Sequence, residues 1–232
     1  MQMLTAIVLA AGQSRRMGAL GDKIMVSLAG HPLISHSLAV LSSLAEITDI
    51  VVVGASSKIA ALNELVRRYN FSKVRAVVQG GASRRESVLR GLEAINWPVE
   101  FTLVHDAARP CLAKSEAREV IADGVAYGAA ILATPLVDTI KQVEYGMVVA
   151  SLDRSLLWAV QTPQVFRHQW LVDGHAKWRQ VKEPITDDAV LVSAIGHRVR
   201  VTPGSAANLK VTTPEDLLLA AYFLEQGGRL CQ

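Results

Sequence analysis

The sequence predicts an α/β fold in which a mostly parallel sheet carries helices on both faces. Short β-branched runs alternate with longer segments whose apolar residues recur at helical spacing. The β-branched runs are apolar at nearly every position, as in strands that are buried on both faces. Half of the 232 residues are hydrophobic and 19% are charged, which suits a large interior. We therefore expect parallel strands joined by right-handed helical crossovers.

This alternation extends from the start of the chain to about residue 135. The predicted helices cover residues 33–45, 59–69, 84–94 and 115–127, and the predicted strands are TAIVLA, DIVVVG, VRAVVQ, FTLVHD and GAAILATP. Ligands of open α/β sheets bind beyond the carboxyl ends of the strands. The loops that follow the first, third and fourth strands should therefore carry the chemistry.

The loop after the first strand reads AAGQSRRMG. Residues 10–12 lack bulk, so the phosphates or base of a ligand can approach the main chain closely. Arg15, Arg16 and, further on, Lys23 would supply cationic donors. This pattern predicts a phosphate-binding loop without the GxGxxG or GxxxxGK[ST] signatures. The alternative is an ordinary strand-to-helix turn with solvated arginines.

The loop after the third strand reads QGGASRRESV. Gly80 and Gly81 end the strand, and Ser83 followed by Glu86 has the spacing of a helix capping box. A helix N-terminus beneath two glycines offers N–H groups to an anion or to a base carbonyl. The alternative is an ordinary capped helix, with Ser87 facing either the ligand or the sheet.

The loop after the fourth strand reads HDAARPC and places an acid and a base at the expected ligand edge. Asp106 is a candidate ligand for Mg²⁺ or for a sugar hydroxyl. The alternative is an ion pair between Asp106 and Arg109 that only stabilises the turn. His105 has no nucleophile or second metal ligand at a recognisable offset, so we interpret it as packed or hydrogen-bonded.

The chain after residue 135 departs from the alternation. Residues 137–154 read as two β runs hinged at Tyr145 and Gly146, which predicts a protruding hairpin arm. A lone two-stranded ribbon is marginal in water, so a second subunit is its natural cover. Further on, Thr213 as N-cap and Pro214 at the first helical position predict a C-terminal helix, with Lys210 in the preceding loop.

Composition excludes several classes of protein. The longest apolar runs are shorter than a membrane span, and the basic residues follow the N-terminal run rather than precede it, so we expect a cytoplasmic protein. Cys111 and Cys231 lack metal-ligand spacing and are predicted to be reduced. The formal charge of +3 comes without a basic, aromatic-interleaved tract, which argues against nucleic acid. We expect residues 1–232 to form one domain.

Six motifs, in order, resemble those of one enzyme family: LAAGxxxRMG, GGxxRxxSVxxGL, VHDAARPC, RxxLWxxQTPQxF, ITDD and NLKVTTPEDL. They are similar to the 2-C-methyl-D-erythritol 4-phosphate cytidylyltransferases of the non-mevalonate isoprenoid pathway, and the similarity spans residues 4–224. The resemblance implies a Rossmann-like nucleotidyltransferase fold. It also implies a reaction that uses CTP and Mg²⁺ to attach CMP to the sugar phosphate, with release of pyrophosphate.

The resemblance further implies roles for individual residues. Arg16 and Lys23 would stabilise charge on the α-phosphate, while Arg154 and Lys210 would hold the sugar phosphate. The residues implied to surround CTP are Ala10, Ala11, Gly12, Gly80, Ser87 and Ala107. Those implied on the substrate side are Asp106, Arg109, Thr139, Thr162 and Thr186, with Asp106 also the candidate metal ligand.

Family members that resemble this chain are homodimers with interlocked hairpin arms, so Thr139 and Arg154 are expected to reach into the neighbouring active site. One departure concerns Lys23. Asp22 and Ile24 stand where the family usually has proline and glutamine, and without the proline we expect the loop to hold Lys23 less rigidly.

Two other functions are compatible with the sequence. One is a cytidylyltransferase for another polyol phosphate, such as ribitol 5-phosphate. The other is a CTP-binding regulator without catalysis. The hypothesis of an enzyme is favoured over that of a regulator because the chain retains cations on both the CTP side and the sugar-phosphate side. A phosphate nucleophile, mostly dianionic at neutral pH, needs no general base, which suits a sequence without a Ser or Cys nucleophile beside a histidine.

Overall fold

The computed structural model describes residues 3–12 and 22–230, with side chains described up to residue 226. Over these residues the centre of the fold is a seven-stranded sheet. Its strands lie in the spatial order Arg200–Pro203 (β11), Ala129–Pro135 (β7), Trp158–Arg167 (β10), Phe101–Asp106 (β6), Leu4–Ala10 (β1), Ile47–Gly54 (β4) and Val74–Gln79 (β5).

The sheet is mostly parallel, as predicted. β1 pairs in parallel with β4 and β6, β4 with β5, and β7 with β11. β10 lies between β6 and β7 and runs antiparallel to both. Its register with β7 shifts between Val160 and Gln164, where polar residues interrupt the apolar pattern. This interruption is why β10 does not stand out as a strand in the sequence.

The four predicted helices are confirmed, with ends within two residues of the prediction. Three further helices follow β10 and β11, and the last of them is the predicted C-terminal helix. The seven α-helices found in the described residues are Leu33–Ser43 (α1), Ile59–Arg68 (α2), Arg84–Glu93 (α3), Lys114–Tyr127 (α4), His168–Ala176 (α5), Asp188–Ala194 (α6) and Pro214–Leu230 (α7).

Helices cover both faces of the sheet because successive residues of each strand point to opposite sides. In β1, Val8 packs into a cluster with Leu38 of α1 and Val120 of α4. Its neighbour Ile7 packs into the other cluster, with Val88 of α3 and Leu171 of α5. This two-sided core explains why the strands are apolar at nearly every position.

The C-terminal helix ties the segment before it to the rest of the fold. α7 begins at Pro214, as predicted, and the Asp216 carboxylate accepts hydrogen bonds from the backbone N–H groups of Thr212 and Thr213, at 2.7 and 2.9 Å. Val211 and Ala220 pack in a small cluster against Leu28, which lies on the short strand Ser27–Leu28 (β2) paired with His31–Pro32 (β3). These contacts place the loop that carries Lys210.

The predicted hairpin arm is confirmed as a two-stranded ribbon of Lys141–Glu144 (β8) and Met147–Ser151 (β9). Tyr145 and Gly146 turn the chain with positive φ angles of 50° and 80°, the geometry of a tight two-residue turn. The arm exposes Val143, Met147 and Val148. Among the described residues, none of the helices combines the length and the apolar character that crossing a membrane requires.

Candidate active site

A cleft of about 550 Å³ opens beyond the carboxyl ends of β1 and β6, where the loops were expected to meet. A second hollow, of about 720 Å³, adjoins it and shares Ala11, Gly81 and Ala82. Seven of the predicted site residues line the first cleft: Ala10, Ala11, Gly12, Lys23, Ser87, Asp106 and Lys210. Gly80 lines the second hollow. The structure thus brings most of the predicted CTP-side residues to one edge of the sheet.

The floor between the two hollows is a close approach of the first and third loops. A Cβ atom on Gly80 would lie 2.6 Å from Ala11 Cβ and 2.8 Å from Ser87 Oγ. Ser87 is buried at the cleft, where its Oγ donates to the Ser83 carbonyl and accepts from Gly81 N. The position of Ser87 between loop and cleft shows that it faces the candidate ligand site rather than the sheet.

The capping box at the start of α3 forms, except that Glu86 reaches back to the N–H of Ala82, one residue before the N-cap Ser83. Ser83 Oγ accepts from Glu86 N at 3.1 Å, while Glu86 Oε2 accepts from Ala82 N at 2.9 Å. The same segment can therefore both cap the helix and line a ligand site, so the two interpretations of this loop do not exclude each other. The cap orders the helix N-terminus, and Ser83 and Ala82 also line the cleft.

Replacing Gly80 by alanine is expected to destabilise the protein and to disturb the cleft. The new methyl group would meet a rigid Cβ and a buried hydroxyl, so we expect a loss of about 1–3 kcal/mol in the free energy of unfolding. Gly12→Ala is the matched control, because a Cβ there meets no atom of the described residues within 4 Å. We expect its stability to stay within about 0.5 kcal/mol of wild type. Urea denaturation of both variants checks this, and equal stabilities would contradict the packing argument.

Contacts of three successive residues hold the described end of the Lys23 loop. Asp22 pairs with Lys58 at 3.2 Å, Lys23 Nζ donates to the Val211 carbonyl at 3.0 Å, and Ile24 is buried in the core. The segment at Lys23 is therefore anchored despite the missing proline, and Ile24 replaces a polar residue where the side chain enters the interior. Arg16 belongs to residues 13–21 and lies outside the described part of the chain.

Within the described part of the chain, two cations form ion pairs with Asp106 at the cleft. Lys210 Nζ lies 2.6 Å from Oδ2, and Arg84 Nε lies 3.7 Å from Oδ1. Burial alone would raise the pKa of Asp106, but Lys210 and Arg84 outweigh burial and lower that pKa to about 2. Arg109 instead donates from Nη1 to the Asn208 carbonyl at 2.6 Å. The direct ion pair considered between Asp106 and Arg109 is thus replaced by pairs with Lys210 and Arg84.

The lowered pKa of Asp106 gives the stability a defined pH dependence. Its folded-state pKa of about 2 lies below the ordinary value of 3.8, so the carboxylate stabilises the fold above pH 3.8 and loses this contribution as pH falls toward 2. We expect the gap in unfolding free energy between wild type and Asp106→Asn to shrink by about 2 kcal/mol on acidification from about pH 5 to about pH 2.

Urea titrations across this pH range measure the gap. Asp49→Asn is the control, because it removes a half-exposed pair with Arg75 at 3.3 Å, and its gap should change little. A gap for Asp106→Asn that stays constant down to pH 2 would show that the carboxylate is not held by cations.

Buried polar groups support the floor of the cleft beneath Asp106. Thr162 Oγ1 accepts from Asp106 N at 3.0 Å and lies 3.1 Å from His105 Nδ1. Burial lowers the pKa of His105 to about 4, so the ring is neutral at pH 7 and is packed and hydrogen-bonded. Ala107, predicted beside CTP, is fully buried, and its N–H donates to the Leu9 carbonyl as a continuation of the β1–β6 pairing. Its neighbour Ala108 lines the cleft instead.

Arg109 is buried and does not line the cleft, and three further predicted residues lie away from the cleft within this chain. Thr139 and Arg154 are exposed at the base of the arm, where the Arg154 guanidinium donates to the Val137 carbonyl. Thr186 is exposed just before α6. Among the described residues, no group of three or more His, Cys, Asp and Glu side chains is arranged to hold a metal ion.

The structure adds residues that had no role in the sequence-based prediction. Arg84 and Asp188 lie in two of the quoted motifs, yet their spacing does not show that Arg84 Nη1 pairs with Asp188 Oδ2 at 2.6 Å. Asn208 is fully buried, and its Nδ2 donates to Gln161 Oε1 and the Thr162 carbonyl. Asn208 thereby fastens the Lys210 loop to β10, a contact between residues far apart in sequence.

The family model and the similar proteins found for this chain have the same name. A family model described as IspD: 2-C-methyl-D-erythritol 4-phosphate cytidylyltransferase matches residues 4–226. Proteins of that name from Alkaliphilus metalliredigens and from Dehalococcoides mccartyi strain CBDB1 are 42% identical over 233 residues and 43% identical over 223 residues. These alignments cover 99% and 96% of this chain, and 97% and 96% of the relatives.

Solved structures agree as well. The crystal structure of 4-diphosphocytidyl-2C-methyl-D-erythritol synthase from Anaerococcus prevotii superposes with a TM-score of 0.85 at 26% identity, covering 97% of this chain and 99% of that one. A second structure of a 4-diphosphocytidyl-2C-methyl-D-erythritol synthase superposes with a TM-score of 0.80 at 31% identity, with the same coverage of both chains. The predicted nucleotidyltransferase fold is confirmed.

Proposed function

The chain belongs to the 2-C-methyl-D-erythritol 4-phosphate cytidylyltransferase family, and we propose that its cleft transfers CMP from CTP to 2-C-methyl-D-erythritol 4-phosphate. The observation that carries this proposal is the convergence of Lys23 and Lys210. They come from opposite ends of the chain, and both line the cleft that opens over the small residues 10–12. One cation serves each of the two anionic substrates.

CTP binds over the first and third loops. Residues 10–12 and Gly80 lack bulky side chains, so the ligand can approach their main chain, and the N-terminus of α3 lies at the same cleft with its positive dipole end. Ser87 lies on the cleft wall one turn into α3, within reach of the base. Ala108, the neighbour of the fully buried Ala107, lines the cleft.

The reaction joins two polyanions. A phosphate oxygen of the sugar phosphate attacks the α-phosphorus of CTP, and the bond to the bridging oxygen breaks with release of pyrophosphate. Repulsion between the substrates is the main obstacle in a site shielded from water. Lys23 and Arg16 stabilise charge that develops at the α-phosphate, while Lys210 and Arg154 hold the attacking phosphate.

The sugar lies on the side of Asp106 and Arg109. Asp106 is ionised and faces the cleft, so its carboxylate accepts hydrogen bonds from sugar hydroxyls. Thr162 acts from beneath by orienting the Asp106 backbone. Thr186 and the partner's Thr139 complete the substrate side from segments that are exposed in the single chain.

A divalent cation bound with CTP would neutralise part of the triphosphate charge. Mg²⁺ is typically bound through one or two carboxylates together with substrate phosphates. The Asp106 carboxylate in the cleft fits this donor set, with the phosphates of CTP as the remaining oxygen ligands. Lys210, which pairs with Asp106 at 2.6 Å, would then share that carboxylate with the cation.

The active assembly is a homodimer held by the hairpin arms. Val143, Met147 and Val148 are exposed on a two-stranded ribbon that its own sheet does not cover. A second subunit supplies that cover and brings Arg154 of the partner subunit to the sugar phosphate. We assign the enzyme to the cytoplasm, in keeping with the free Cys111 thiol, whose pKa burial raises to about 11.

Pyrophosphate release tests the function directly. The protein is incubated with CTP, Mg²⁺ and either 2-C-methyl-D-erythritol 4-phosphate or ribitol 5-phosphate, and pyrophosphate is measured by a coupled assay. We expect turnover with the methylerythritol substrate and a much lower kcat/KM with ribitol 5-phosphate. Faster turnover of ribitol 5-phosphate would change the assigned substrate. Calorimetric binding of CTP with no pyrophosphate from either substrate would instead support a regulator.

A further inference from the structure

Arg84 connects the candidate active site to a buried acid outside it. Arg84 is the first residue of α3 and lines the cleft. Its Nε lies 3.7 Å from Asp106 Oδ1, and its Nη1 lies 2.6 Å from Asp188 Oδ2. The guanidinium therefore bridges a carboxylate that faces the substrates and a carboxylate in α6.

Asp188 is a firm anchor for this guanidinium. Its side chain is 1% exposed, and its other oxygen, Oδ1, lies 2.9 Å from His175 Nε2. Burial opposes the charge on Asp188, yet Arg84 and His175 keep the pKa of this carboxyl below its ordinary value. Separating a buried carboxylate from its cation strongly destabilises the folded protein. The pair with Asp188 therefore holds the Arg84 guanidinium in place.

Asp106 has one cation on each oxygen, and the two cations differ in how they are held. Lys210 lies 2.6 Å from Oδ2, and its side chain is 41% exposed on a flexible stem. Arg84 lies 3.7 Å from Oδ1, longer than a hydrogen bond, and is tied to Asp188. Lys210 is therefore the more exposed of the two cations, whereas Arg84, at 28% exposure, is tied to a buried carboxylate.

We propose that Arg84 is a positioning residue that takes over as the counter-ion of Asp106 when Lys210 turns to the phosphate of the sugar substrate. Without Arg84, the departure of Lys210 would leave the buried Asp106 carboxylate without a paired side-chain cation among the described residues, and its charge would depend on the divalent ion that accompanies CTP. Lys210 would then stay on Asp106, and the sugar phosphate would lose a cation. This inference rests on the role given to Lys210 in the proposed function. In this proposal, the ion pair with Asp188 keeps the Arg84 guanidinium beside Asp106.

Steady-state kinetics of Arg84→Gln and Arg84→Lys test the proposal, with melting temperatures measured in parallel. For Arg84→Gln we expect KM for the sugar phosphate to rise about 10-fold or more, and KM for CTP to change much less. Arg84→Lys keeps the charge and should recover part of the loss. Asp188→Asn should give a smaller rise in the same KM. Arg67→Gln, which removes an exposed pair with Glu64, is the control and should behave as wild type.

A double-mutant cycle separates a counter-ion from a structural strut. Binding of 2-C-methyl-D-erythritol 4-phosphate is measured by calorimetry in wild type, Arg84→Gln, Asp106→Asn and the double variant. Asp106→Asn removes the charge that Arg84 compensates, so adding Arg84→Gln should change the affinity by less than about 2-fold. Additive losses, or equal rises in both KM values, would overturn the proposal in favour of a strut between α3 and α6.

The outcome also distinguishes this inference from the proposed function. If wild type transfers CMP to the sugar phosphate but Arg84→Gln has the wild-type KM for it, the proposed function stands and the role of Arg84 falls. If wild type shows no transfer, the proposed function is wrong, and the role of Arg84 that rests on it is wrong as well.

Discussion

The Lys23→Ala enzyme is expected to lose about 10²-fold or more in kcat, with a smaller change in KM for the sugar phosphate. Lys23 lines the cleft at the carboxyl end of β1, and its Nζ is directed by a hydrogen bond to the Val211 carbonyl at 3.0 Å. A cation held there acts on charge that grows at the α-phosphate as the bond to pyrophosphate breaks. An interaction that strengthens in the transition state lowers kcat when it is removed. Arg16→Ala is expected to have the same effect.

Two controls separate this electrostatic role from a structural one. Lys23→Arg keeps the charge and should retain more activity than Lys23→Ala. Lys73 is a matched lysine, because its Nζ also donates to a backbone carbonyl, that of Leu44 at 2.6 Å, but at the opposite end of the strands. Lys73→Ala should therefore keep the wild-type kcat. A Lys23→Ala enzyme with normal turnover by the pyrophosphate assay would show that the phosphate-binding loop is wrongly assigned.

The parts of the fold that the sequence predicted are those with local signals. Strands such as Ile47–Gly54 are apolar throughout, and Ser83 with Glu86 marks the start of α3. β10 carries no such signal, since Gln161, Thr162 and Gln164 are buried polar residues inside a strand. Their partners, among them Asn208 and Asp187, come from distant loops. No local pattern reveals a strand that depends on such partners.

The same division applies to the candidate site. Small residues at 10–12 and the acid at Asp106 follow predicted strands, and position at the sheet edge is enough to bring them together. The partner of Asp106 was not predictable in this way. Arg109 is near in sequence, but Lys210 and Arg84 are the cations that the fold brings to Asp106. Ion pairs between distant segments depend on packing, which sequence spacing does not encode.

The Lys23 loop shows how tertiary contacts can replace a local constraint. Proline would restrict the backbone of the unfolded and folded chain alike. Here Asp22 pairs with Lys58 at 3.2 Å, and Ile24 enters the core beside it. A charged residue and an apolar residue on either side of Lys23 thus hold it between the surface and the interior. Its rigidity comes from contacts that form only on folding.

Heterodimers that combine two inactive subunits are expected to recover about half of the wild-type activity. In the proposed dimer, each active site combines the cleft of one subunit with Arg154 of the partner subunit. A dimer of one Lys23→Ala chain and one Arg154→Ala chain then has one site with both changes and one site with neither. Co-expression with two affinity tags and tandem purification yields this heterodimer for the pyrophosphate assay.

The matched control is a heterodimer of Lys23→Ala with Lys210→Ala. Lys23 and Lys210 line the same cleft of one chain, so each site of this dimer lacks one of the two cations and no activity should return. Arg154 differs because it lies on the exposed base of the arm, outside the cleft of its own chain. Recovery in the first dimer and not in the second would follow only if the arm crosses to the neighbouring site. Equal inactivity of both dimers would mean that Arg154 acts within its own chain, and the exposed apolar arm would need another explanation.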